Sequence, residues 1–118
     1  EEAEQREHYG VLAWDAETLV TQNIHQVSLP DHFPKDVYIT FDLDGLDPSI
    51  LPATGTPVPG GLGYYQSLSL VESALKGRRC VGIDVVELAP IDSQPVSDFT
   101  AALITYRLMG LARRSRMT

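Results

Sequence analysis

The chain has 118 residues, a formal net charge of −7, 43% hydrophobic and 21% charged residues, and a single cysteine. This is the length of one domain and the composition of a globular protein. An intrachain disulfide is excluded, no run of 18 apolar residues offers a membrane span, and the acidic balance argues against a nucleic-acid partner.

Residues 1–36 read as an N-terminal lead-in and residues 37–118 as the body of the domain. Glu1 to His8 is acidic and compatible with a helix or a solvated leader, with Gly10 ending it, and it lacks a signal-peptide core. Val11–Leu12 is a candidate short strand. Asp15 is placed to cap a helix across Ala16 to Gln26, with Leu19, Val20 and Ile24 apolar. Pro30 and Pro34 mark a loop. Val37 to Asp42 (VYITFD) is β-branched and aromatic and apolar on both faces, the pattern of a buried parallel strand. A long loop follows from Asp47 to Gly63, rich in proline and glycine, a length that is usually functional or disordered. The prolines favour order, because they restrict the unfolded chain. Gln66 to Lys76 fits a helix capped by Gly77. Cys80 to Val86 is the second strand, with Cys80 a small core residue and Glu87 at its end. Ser97 is expected to cap a final helix from Asp98 to about Arg113, whose encircling apolar residues predict that it is largely covered. Arg113, Arg114 and Arg116 suit the negative end of that helix.

Strand, helix, strand, helix is an α/β order with parallel strands. Two parallel strands cannot cover themselves, so a larger sheet is expected, completed by further sequence or by another copy. The lone thiol fits a reducing, cytoplasmic setting.

The chemistry concentrates in FDLDGLDP, Phe41 to Pro48. Asp42 and Asp44 are one residue apart at the end of an apolar strand, so alternation places both on one face. Carboxylates so close repel unless a cation lies between them, and a divalent metal resolves the conflict. Asp-rich turns are common, since Asp initiates turns and caps helices. The position at the carboxyl end of a strand tips the balance, because ligands of open α/β sheets bind there. Glu87 ends the second strand, and adjacent parallel strands bring these three acids together.

FDLDGLDP at 41–48, PATGTPVPGGL at 52–62 and GIDVVELAP at 82–90, in this order and spacing, resemble the ureohydrolases, the family of arginase and agmatinase. The resemblance runs from about Val37 to the C-terminus. It implies a three-layer α/β/α parallel-sheet fold, of which this chain is the C-terminal part. It also implies a binuclear manganese centre in which Asp42 bridges two ions and Asp44 chelates one. Glu87 is implied to hold the substrate guanidinium, Thr56 to line the pocket, Asp47 to brace the turn, and Asp84 to support the site from behind. The implied reaction is attack of a metal-bound hydroxide on a guanidinium carbon, releasing urea and an amine. Agmatine, a small cationic guanidino compound, is the preferred substrate, with arginine and guanidinobutyrate as alternatives. Trimers or hexamers are implied as well.

The chain departs from the family in one respect. An Asp-x-His-x-Asp motif, a further ligand histidine and a proton-transfer histidine are absent, and His8, His25 and His32 stand in no such pattern. No catalytic residue is therefore assigned. A non-catalytic module lacking the N-terminal metal ligands is the competing reading, and weak manganese binding is expected of this chain alone. A metal-dependent phosphohydrolase is disfavoured, because prolines interrupt the glycines of TGTPVPGG where a phosphate cradle would need a helix N-terminus.

Overall fold

The computed structural model describes residues 1–117. Strands β1 (Asp36–Asp42) and β2 (Arg79–Val86) lie side by side in parallel. Around them stand helices α1 (Glu2–His8), α2 (Ala16–Thr21), α3 (Tyr64–Ala74) and α4 (Pro95–Ser115). The α3 crossover between parallel strands makes the chain α/β, as expected.

One face of the strand pair is packed. Val37, Ile39 and Phe41 of β1 and Ile83 and Val85 of β2 meet Leu68 and Leu75 of α3 and Ile104, Leu108 and Leu111 of α4. Cys80 is fully buried in that core. On the other face Tyr38 remains 60% exposed. The described residues thus supply the sheet and one helical layer, and the second face lacks a cover.

The register carries an irregularity with consequences for the site. Val37 stands opposite Cys80 but Tyr38 opposite Gly82, so Val81 is bulged. The extra residue resets the side-chain phase of β2 and places Gly82 and Asp84 beside Tyr38 and Thr40. A Cβ at Gly82 would approach the Tyr38 ring to 2.6 Å, so only glycine lets that ring lie against β2.

Several expectations are corrected. Val11 and Leu12 form no strand. The second helix ends at Thr21 rather than Gln26, because Asn23 turns to φ 52°. The amides of Asn23 and Ile24 then return to Val20 O and Leu19 O, a Schellman ending. Asp15 stands at the N-cap of α2 without a side-chain capping bond. Helix α3 starts and stops two residues early, with Leu75 as C-cap, and Gly77 (φ 67°) turns the chain toward β2. Ser97 is no cap. Pro95 opens α4, and the buried Ser97 Oγ accepts from Ala53 N at 3.2 Å. Helix α4 is also not covered on all sides: Phe99 is 68% and Tyr106 75% exposed, because only one stripe finds a partner within the described residues.

The lead-in packs on α3. Gln66 Nε2 donates to Leu19 O (3.0 Å) and Ile24 O (2.8 Å), and Val27 N donates to Ser73 Oγ (2.9 Å). Among the described residues no helix is long and apolar enough to cross a membrane.

Candidate active site

Asp42 is the last residue of β1, and Asp44 is not on the strand at all. A single 3₁₀ turn, Leu43–Gly45, follows directly. Leu43, 1% exposed, anchors that turn in the core. The two acids therefore meet through the turn and not through strand alternation, which corrects the sequence argument while keeping its outcome. Asp44 N donates to Asp42 Oδ1 at 3.2 Å.

Asp42 pairs in register with Val86, so Glu87 follows at the neighbouring strand end. Partial desolvation at the rim, then the Asp44 and Glu87 carboxylates, raise the Asp42 carboxyl above its ordinary value. The Asp44 amide opposes this but does not outweigh it. Glu87 itself adopts φ 71°, the left-handed region that a side-chain-bearing residue seldom occupies. Strain of this kind costs about 1–3 kcal/mol and gathers at functional sites.

The long loop is ordered, and Asp47 orders it. Its carboxylate accepts from Ser49 N (3.0 Å), Gly60 N (2.9 Å) and Gly61 N (3.2 Å). The Ser49, Gly60 and Gly61 donors hold that carboxyl below its ordinary value. Backbone bonds Asp47 N to Leu62 O and Leu62 N to Gly45 O close the loop at its base. Gly61 is required there, since a Cβ would come within 2.6 Å of the Asp47 backbone. Buried Leu51 and Ala53 pin the near side, and Ala89 N donates to Ala53 O, tying the loop to the segment after β2. This frame carries Thr56 over the acids, where its Oγ1 donates to Asp44 Oδ2 at 2.7 Å.

Asp42, Asp44, Thr56 and Glu87 thus gather at the carboxyl end of the strands. On the open sheet face beneath them Asp84 accepts from Thr40 Oγ1 (2.7 Å) and Tyr38 Oη (2.9 Å). Sequence reasoning misses Tyr38 and Thr40, since their roles depend on the bulge at Val81, and only Gly82 hints at a close approach. His8, His25 and His32 are exposed and lie outside this group.

The donor set bears on the metal that the resemblance implies. Carboxylate and hydroxyl oxygens suit a hard divalent cation such as manganese, and burial together with the neighbouring Asp44 and Glu87 carboxylates raises the Asp42 carboxyl. Yet no group of three His, Cys, Asp or Glu among the described residues is arranged to hold an ion. The residues present fit part of such a centre and not all of it.

The arginase family model matches residues 1–110. An N(1)-aminopropylagmatine ureohydrolase of Thermus thermophilus is 43% identical over 93 residues, covering 75% of this chain and 31% of that protein. The agmatinase of Chromobacterium violaceum is 45% identical over 82 residues, covering 69% and 25%. The arginase from Medicago truncatula superposes with a TM-score of 0.70 at 29% identity, over 94% of this chain and 35% of that one. The chain spans about a quarter to a third of the length of the curated relatives it matches. With a family model over residues 1–110 and relatives of 43–45% identity, this chain belongs to the arginase family, the ureohydrolases.

Proposed function

We propose that this chain is the C-terminal portion of a manganese-dependent ureohydrolase of the agmatinase type, which converts agmatine and water to putrescine and urea. The observation that carries the reading is the convergence of Asp42 and Asp44 under Thr56, with Glu87 beside them.

In this reading Asp42 and Asp44 hold divalent cations, together with ligands that this chain does not contribute. Cations held there supply a water of lowered pKa, a nucleophile strong enough at neutral pH for the poorly electrophilic guanidinium carbon. Thr56 Oγ1 occupies one lone pair of Asp44 Oδ2 and so fixes which carboxylate edge stays open. Glu87 offers two oxygens to the planar guanidinium fork through parallel hydrogen bonds. The Asp47-braced loop holds Thr56 in place beside Asp44. Asp84, clamped by Tyr38 and Thr40, stiffens the strand pair from which the acids project.

Agmatine is preferred because agmatinase and aminopropylagmatine ureohydrolase are among the similar relatives. Arginine is the second reading, favoured by the 40% identity to human arginase-1 over 84 residues. The uncovered sheet face and the exposed side of α4 suit a homo-oligomer, and the single buried thiol suits the cytoplasm. The test is urea release by a complete ureohydrolase carrying this segment, with manganese and either agmatine, N(1)-aminopropylagmatine or arginine. Turnover of agmatine well above the other two supports the assignment, and preference for arginine replaces it.

A further inference from the structure

The end of the sheet opposite the acids carries the reverse charge. A cleft of about 750 Å³ opens there, lined by Lys35, Lys76, Arg78, Arg79, Arg114 and Arg116. These are six of the nine Lys and Arg residues of a chain whose net charge is −7. Among the described residues two acids line the same cleft, Asp36 and Glu72. Both are engaged: Arg79 clamps Asp36 through two bonds of 2.8 and 2.7 Å, and Arg114 Nη2 pairs with Glu72 at 3.0 Å.

A simpler explanation for the cations is the pair of helix C-termini, α3 and α4, that end here. Each terminus is equivalent to about half a negative charge. Together they offset about one cation, and an excess of about three positive charges remains. The individual side chains bear this out. The Lys35 and Lys76 ammonium groups have no hydrogen-bond or ion-pair partner among the described residues. Arg116 uses Nε on Cys80 O at 2.6 Å, leaving its Nη groups available. Arg78 is 9% exposed and donates through its Nη groups to the carbonyls of Lys76, Leu29 and Pro30. Its Nε is buried with no acceptor. The unpaired Lys35 and Lys76 ammonium groups on the wall of this cleft call for an anionic counterpart.

We propose that this cleft is a binding site for a multivalent oxyanion of the phosphate class, taken as the free ion or as the terminal group of a small phosphorylated molecule. The surplus of charge selects a dianion over a single carboxylate, and the limited extent of the patch, restricted to one end of the strand pair, selects a small ligand over a nucleic-acid backbone, which needs an extended stripe. The seven residues of β1, at about 3.3 Å each, separate this cleft from the acids by roughly 20 Å. The site is therefore independent of the ureohydrolase reading and stands or falls separately.

Calorimetric titration of the chain with inorganic phosphate and with glycerol 3-phosphate tests it, at constant ionic strength set by sodium chloride. Saturable one-to-one binding is expected, weakened about tenfold or more in the Lys35→Ala/Lys76→Ala double variant through loss of charge-assisted contacts. Arg107→Ala, outside the cleft, should leave it unchanged. Tighter binding of the ester identifies a phosphorylated metabolite as ligand, and tighter binding of the ion identifies free phosphate. Amide shifts on phosphate addition should cluster at residues 35–36, 76–79 and 114–116. No saturable binding, undiminished binding in the double variant, or shifts centred on the Asp42 end would overturn the proposal.

Discussion

Thr56 Oγ1 donates to Asp44 Oδ2 at 2.7 Å across twelve residues of loop. This bond joins the loop to the strand end, and through it the two most specific sequence motifs become one site. Thr56→Val keeps the shape and removes the donor. The bond is exposed, so the variant should lose only about 0.5–1 kcal/mol of stability. Manganese binding should weaken about threefold, the fold-change that this energy corresponds to. Thr56→Ser should restore both. Manganese titration followed by electron paramagnetic resonance checks the series, and equal affinities in Val and Ser variants would assign Thr56 no part in the site.

Gly61 sits against the Asp47 backbone, with room for no Cβ. Gly61→Ala should destabilise the chain by about 1–3 kcal/mol, because backbone must move to admit the methyl group. Gly55→Ala, which meets open space, should be close to neutral. Urea denaturation of the two variants distinguishes a tightly closed loop from a loose one.

Asp47 also predicts a pH dependence. Its carboxyl is lowered in the folded chain by the donors of Ser49, Gly60 and Gly61. A lowered carboxylate contributes stability that is complete above the unfolded value, about 3.9, and is lost as pH falls through the lower folded value. Asp47→Asn should therefore melt at a lower temperature than the parent at pH 7, and the gap should close below about pH 4. A gap that stays constant from neutral pH into the acid range would contradict the assigned bonds.

Glu87 holds φ 71°, a conformation that glycine accepts without penalty. Glu87→Gly should stabilise the chain by about 1 kcal/mol by removing this strain. Glu87→Gln should leave stability unchanged. In a complete ureohydrolase carrying these substitutions, the proposed role of Glu87 predicts that both raise KM for the guanidino substrate, since both remove the negative charge. Denaturation and steady-state kinetics together separate strain retained for function from strain without a role.

Much of this site is legible in the sequence, for identifiable reasons. The β-branched run ending in Asp42 reads as a strand, and the run from Cys80 to Val86 as its parallel neighbour. The expected burial on both faces is not met: β1 alternates between half-buried and exposed positions and Tyr38 is 60% exposed, because no second layer covers that face among the described residues. Asp47 before Pro48 reads as a turn acid, and its role as a brace, implied by the resemblance, matches its bonds to Ser49, Gly60 and Gly61. What is not legible depends on register and partner. The position of Asp44 hinges on whether the strand ends before or after it, and buried Leu43 decides in favour of a turn. Asp84 meets Tyr38 and Thr40 only because Val81 bulges, which composition does not announce. The exposed faces of α4 follow from the lack of a second layer against Phe99 and Tyr106 among the described residues, a tertiary fact that apolar periodicity cannot express.

The central claim is that Asp42 and Asp44 together hold a divalent cation. Substoichiometric Mn²⁺ added to the isotope-labelled chain broadens nearby amide signals through its unpaired electrons. The account predicts weak binding with broadening centred on residues 42–45 and reaching 55–57 and 86–88, abolished by Asp42→Asn/Asp44→Asn. Broadening centred elsewhere, or unaltered by that double substitution, would contradict it.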